Sequence, residues 1–156
     1  MTGLLQGLRE GIGGNLSALE AVALLVLAVL VWLARKRLPM LPVVYSVFLV
    51  LYITLLRRVP GYDEEIRWHL ALWSGAGLWA GNLLNLALFL PLGWTAAGLA
   101  KCRIKGILFV VLFAFALSLC CETAQYLLGR GQADSNDIFF NTLGAAVGAA
   151  LRAAWP

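Results

Sequence analysis

The chain has 156 residues, of which 62% are apolar and only 13% charged, with a mean hydropathy of +0.85 and a net charge of +4. Soluble domains do not usually approach that balance, and a cleavable leader does not explain it, because long apolar runs recur to the C-terminus. The basic residues sit in short clusters at the ends of those runs rather than along one stripe, which excludes nucleic acid as the partner and points to the lipid bilayer.

Crossing a hydrocarbon core of about 30 Å takes ~20 apolar residues in a helix, because each residue rises 1.5 Å and every backbone hydrogen bond must close internally. The first run with that length goes from Leu16 to Ala34, carries Glu20 near its start and stops at Arg35, Lys36 and Arg37. A second covers Leu38 to Leu56 and ends at Arg57 and Arg58. The segment Tyr62 to Gly81 follows, with Trp68, Trp73 and Trp79 among Asp63, Glu64, Glu65, Arg67, His69 and three glycines. It is too short and too polar to cross, and its tryptophans suit the headgroup level, so it is predicted to lie in the interface or to re-enter. The third span is Asn82 to Ala100, before Lys101, Arg103 and Lys105. The fourth is Ile107 to Leu128, before Gly129, Arg130 and Gly131, and the fifth is Ile138 to Trp155. The predicted fold is therefore all-α, a single domain over residues 1–156: a polytopic bundle of about five transmembrane helices plus one Trp-rich interfacial or re-entrant segment.

Seven basic residues (35 to 37, 101 to 105, and Arg152) fall on one side of that bundle against five (Arg9, Arg57, Arg58, Arg67 and Arg130) on the other. The positive-inside rule then puts the N-terminus outside and the C-terminus in the cytoplasm. The acids Glu10, Asp63, Glu64, Glu65, Asp134 and Asp137 gather on the outer side. Cys102, Cys120 and Cys121 are expected to be free apolar fillers, since neighbouring side chains pair poorly.

Polar groups in hydrocarbon cost a few kcal/mol each, so helices that keep them need partners or a function. The third helix has Asn82 and Asn85 on one stripe with Phe89, then Pro91 and Gly93, which can kink it. Ser118, Glu122 and Gln125 share one face of the fourth, and Asp137, Asn141, Gly144 and Gly148 repeat at three and four on the fifth. The short link from Gly129 to Asp137 makes the last two helices antiparallel neighbours. Asn82, Asn85, Glu122, Gln125, Arg130, Asp134, Asp137 and Asn141 are the candidate ligand-binding residues, and Glu122 is the one best suited to act as a general acid or base. Gly144 and Gly148 form a small-xxx-small surface for a close helix neighbour.

The same residues spell N-x-x-N-x-x-x-F-x-P-x-G from Asn82 to Gly93, S-x-x-x-E-x-x-Q from Ser118 to Gln125, and R-x-x-x-D-x-x-D-x-x-x-N-x-x-G-x-x-x-G from Arg130 to Gly148. In this ordered set the chain resembles the VanZ-like family of bacterial membrane proteins. The resemblance implies a plasma-membrane protein of the bacterial envelope, in a family that takes its name from resistance to the lipoglycopeptide teicoplanin. It supplies no reaction.

The preferred expectation is an outward-facing polar pocket that binds an amphiphilic or lipid-linked molecule, such as a lipopeptide antibiotic or a wall-polymer precursor. Arg130 would meet an anionic group there, Glu122 and Gln125 would lie deeper, and the Trp-rich segment would cover the mouth. One alternative is an intramembrane enzyme on the same class of molecule, with Glu122 as acid or base and Asp134 or Asp137 as partner or divalent-metal ligand. Another is a small transporter, for which an oligomer would have to complete the pathway. A purely structural account pairs Arg130 with Glu122, Asp134 or Asp137 and gives Asp134 the N-cap of the last helix. The spacing shows no zinc-ligand cluster, no phosphate-cradling loop and no nucleophile–base pair, so neither cofactor nor resident metal is expected.

Overall fold

The computed structural model describes residues 17–58, 60–61, 66–68, 76–100 and 103–155. Within them the chain is helical apart from one two-residue strand pair. Helix α1 is Ala18–Ala34, and α2 is Leu41–Leu51, prolonged by a π-helical turn at Tyr52–Leu56. Strand β1 is Ile66–Arg67, α3 is Ala76–Ala97, α4 is Arg103–Leu127, β2 is Ala133–Asp134 and α5 is Ser135–Ala154. The predictions on Arg9, Glu10, Asp63 to Glu65, His69, Trp73, Lys101 and Cys102 lie outside the described residues.

Local chemistry sets several of these boundaries. Ser17 and Glu20 form a capping box on α1, each side chain taking up a backbone N–H that the first turn leaves free. Pro42 sits in the first turn of α2, where its missing N–H costs nothing. Helix α4 stops in a Schellman motif: Arg130 N–H donates to Gln125 O (2.8 Å), Gly129 N–H to Tyr126 O (3.1 Å), and Gly129 takes φ = 57°, which glycine enters without a Cβ penalty. Asp134 caps α5 by accepting from Asn136 N–H at 2.8 Å.

Two stretches, Trp79–Ala97 in α3 and Ile104–Leu127 in α4, are long and apolar enough to cross a membrane, while Ala18–Ala34 and Leu41–Leu56 are shorter apolar helices. Helix α5 has the 20 residues for a crossing but spends its inner face on small ones. It is the central helix, burying Phe140, Asn141, Gly144, Ala145, Gly148 and Ala149 between α3 and α4. Its packing on α3 is backbone against backbone: a Cβ on Gly144 would overlap Leu86 O, one on Gly148 would overlap Leu90 O, and one on Gly93 would overlap Ala145 O. The small-xxx-small surface thus has a definite partner, and Gly93 answers it from the α3 side. Behind this contact lies an apolar core of Val50, Phe89, Leu92, Val110, Ala114 and Cys121. Outward, Leu19 and Leu33 of α1 and Ile104, Phe109 and Leu127 of α4 are largely exposed, faces whose natural solvent is hydrocarbon.

The start of α3 differs from the predicted one. Ala76 to Gly81 forms its first turn and a half, six residues ahead of Asn82. The sequence Ala-Gly-Leu-Trp-Ala-Gly has neither charge nor proline to stop a helix, and it extends the apolar run of α3 towards its N-terminus. Ile66–Arg67 is extended, pairing in parallel with Ala133–Asp134 in the register Ile66↔Ala133 and Arg67↔Asp134. This pairing fastens the segment to the link between α4 and α5.

Candidate functional site

The polar stripes meet at one end of the bundle, formed by the ends of α2 and α4 and the starts of α3 and α5. Glu122 is 3% exposed, and its Oε2 accepts from the Asp134 backbone N–H at 3.0 Å. Strand β2 therefore fixes the carboxylate from the main chain, and the Asp134 side chain is occupied in capping α5. Glu122 and Asp134 line a pocket of about 190 Å³ with Thr123, Ser135 and Arg67, closed on its apolar sides by Leu119, Tyr126, Ile138, Ile66 and Trp68. The Ser135 hydroxyl is buried with no hydrogen-bond partner among the described residues. Trp68 is 80% exposed at the rim.

The other predicted site residues stand behind this pocket rather than in it. Asn85 donates from Nδ2 to Asp137 Oδ1 at 2.6 Å, joining α3 to α5. Asn141 donates from Nδ2 to Ser118 Oγ at 2.9 Å, joining α5 to α4. Gln125 is fully buried; its Nε2 donates to Thr54 O (3.2 Å) and its Oε1 accepts from Arg58 (3.3 Å). Arg130 donates to Leu55 O at 2.7 Å. The π-helical turn explains the last two contacts: a helix end leaves its final carbonyls without intrahelical donors, and those of Thr54 and Leu55 are met by side chains from α4 and the link after it. Asn82 is 2% exposed, and its Nδ2 has no partner among the described residues.

Arg130 is thus bound to a backbone carbonyl of the π-helical turn. Arg58, a residue that sequence reading assigned to orientation alone, is the cation that donates to Gln125 Oε1 at this end. Arg58 lies over Gly131, where a Cβ would meet its guanidinium. Glu20 belongs to a separate junction, accepting from the Tyr52 hydroxyl at 2.7 Å with Arg57 Nε 3.8 Å away. Among the described residues no group of three or more His, Cys, Asp or Glu side chains is placed to hold a metal ion.

A family model described as VanZ/LLP1 matches residues 21–155. The chain belongs to the VanZ/LLP1 family. The VanZ/LLP1 match starts within α1 and ends after α5, so it takes in residues 21–81, where the sequence motifs gave no signature. No curated protein and no solved structure matches the chain. Within this VanZ/LLP1 chain, Asn82, Glu122, Gln125, Arg130 and Asp134 all fall at the polar end that α2 completes. Sequence reading missed Arg58, Thr54, Ile66 and Ser135 there. Their signal is weak: a backbone carbonyl has no side-chain signature, and a two-residue strand has no period.

Proposed function

We propose that the chain is a multi-pass protein of the bacterial plasma membrane, with five spans, the N-terminus outside and the C-terminus in the cytoplasm, whose outer pocket binds an amphiphilic or lipid-linked envelope molecule. In this reading it contributes to resistance of the lipoglycopeptide (teicoplanin) type. The observation that carries it is the composition of the pocket: Glu122, Asp134 and Ser135 on one wall, Arg67 and Trp68 at the strand, and Leu119, Tyr126 and Ile138 on the apolar side. A pocket with few polar groups and mostly apolar walls suits a ligand that is itself part polar and part hydrocarbon. Its position supports the same conclusion. The pocket opens between α4 and α5 at the end where their link emerges, so a molecule held in the outer leaflet reaches it laterally.

Arg130 does not line this pocket, and one of its guanidinium N–H groups is donated to Leu55 O. With Arg67 and Trp68 lining the strand side, recognition falls to Glu122, the Asp134 carboxylate oxygen that does not cap α5, and the Ser135 hydroxyl, which has no partner among the described residues. These groups accept hydrogen bonds from amines, amides and sugar hydroxyls, which lipoglycopeptides and lipid-linked wall precursors carry in number.

The test is binding of teicoplanin, and separately of a lipid-linked wall precursor, to the purified chain in nanodiscs. Saturable binding is expected for at least one of the two. Ile138→Trp should abolish it by filling the pocket, and Glu122→Gln should weaken it by about fivefold, the worth of one hydrogen bond. Saturable binding that survives both substitutions places the ligand elsewhere, and absence of binding by either molecule overturns the proposal.

A further inference from the structure

A second and larger cavity, about 540 Å³, opens between α1, α2 and α3 in the half of the bundle away from Glu122. Its walls are Leu24, Ala28 and Trp32 from α1, Leu49 from α2, and Leu90 and Trp94 from α3. The three hydroxyls on its surface are already used: Tyr45 donates to Leu24 O (2.7 Å), Ser46 to Pro42 O (2.8 Å) and Thr95 to Pro91 O (2.8 Å). Apart from the indole N–H groups of Trp32 and Trp94, the groove offers an entering molecule a hydrocarbon surface, which suits an alkyl chain better than a polar solute. From Leu24 to Trp32 its α1 wall runs eight residues, about 12 Å at 1.5 Å per residue, most of the ~15 Å depth of one leaflet.

The Trp32 end is marked by charge. The Arg35 guanidinium lies 3.7 Å from the Trp32 ring centroid and donates one N–H to Trp32 O, which leaves its other N–H groups for a ligand, and Lys36 and Arg37 follow it, both exposed. An indole beside a cationic cluster is the arrangement that meets the glycerol and phosphate of an anionic lipid at the headgroup level. We infer that this groove is a binding site for one acyl chain of an anionic phospholipid from the leaflet at the Arg35 end, with the phosphate held by Arg35, Lys36 and Arg37. The inference rests on the membrane placement proposed above and is independent of what occupies the Glu122 pocket.

The experiment uses the full chain in detergent, exchanged with an equal mixture of phosphatidylglycerol and phosphatidylcholine and read by native mass spectrometry. One retained phospholipid per chain is expected, with phosphatidylglycerol preferred. Ala28→Trp and Leu90→Trp fill the groove from opposite walls, and each should remove the retained lipid while helix content by circular dichroism is kept; two walls guard against one variant failing to fold. Arg35→Gln should keep a bound lipid and lower the preference for phosphatidylglycerol about fivefold, the share of one basic side chain near an anionic headgroup. Glu122→Gln should leave retention unchanged, which separates this site from the pocket. Lipid retained equally by both filled variants, a native chain with no headgroup preference, or a dimer that Ala28→Trp disperses would each overturn the inference, the last by making a second copy the occupant.

Discussion

Asn82 and Asn85 stand one helical turn apart at the start of α3, and their side chains are in opposite situations. The Asn85 amide satisfies the half-buried Asp137 carboxylate, while the Asn82 Nδ2 is buried with no partner among the described residues. Removing a satisfied partner strands the group opposite it, at a cost of about 1–3 kcal/mol, whereas removing an unsatisfied donor relieves a desolvation penalty. Asn85→Leu is therefore expected to lower thermal stability in detergent by about 2 kcal/mol, and Asn82→Leu to leave it unchanged or raise it. Equal losses in tryptophan-monitored melts of the two variants would contradict this account. A stabilising Asn82→Leu would mark the asparagine as one kept for function, and the same variant is then expected to weaken ligand binding. Gln125 belongs with Asn85: Gln125→Leu strips the partner from Thr54 O and from Arg58 together, and should cost at least as much in the same melt. Spacing placed Asn85, Glu122, Gln125 and Asn141 on their inward faces, because helical period is carried by the side chains themselves. It gave no sign of Arg58 or of the carbonyls of Thr54 and Leu55, which depend on a widened turn between Tyr52 and Leu56.

Glycines decide the helix pairing, and the structure sorts them sharply. At Gly144 and Gly148 a methyl group would run into the backbone of α3, which cannot turn aside as a flexible side chain would, whereas at Gly81 nothing lies within 4 Å. Gly144→Ala and Gly148→Ala are each expected to cost about 2–3 kcal/mol through forced separation of α3 from α5. Gly81→Ala should stabilise the chain by about 1 kcal/mol, because alanine is the better helix former and the site is open. Detergent melting temperatures check the order, and a neutral Gly144→Ala would mean that α3 and α5 are not in backbone contact. The G-x-x-x-G pattern made the close approach readable in advance, since small residues at that spacing have few other uses in an apolar helix. The start of α3 was not readable in the same way. Trp79 and two glycines resemble an interfacial stretch by composition, and only the continuity of the backbone shows that they extend the helix.

At the scale of the whole molecule the two ends differ in kind. One end gathers Glu122, Asp134, Asp137, Arg58 and Arg130, and the other carries Arg35 to Arg37 and Arg152. The proposed orientation turns the first end outward and the second to the cytoplasm by the positive-inside rule, on seven basic residues against five. The orientation therefore calls for a direct measurement. With the three native cysteines replaced by alanine, a single cysteine at Leu128, exposed after α4, should react with a membrane-impermeant maleimide on intact cells. One at Met40, exposed between α1 and α2, should react only after the cells are opened. Because α4 and α5 are antiparallel neighbours across a short link, Leu128 reports the side on which the Glu122 pocket opens, and Met40 reports the side of the basic cluster. The reverse labelling pattern would turn the pocket to the cytoplasm, where an antibiotic acting outside the cell does not reach it, and the proposed ligand class would fail with the fold intact. Labelling of both positions on intact cells would mean that the chain inserts both ways, as a nearly balanced charge distribution permits.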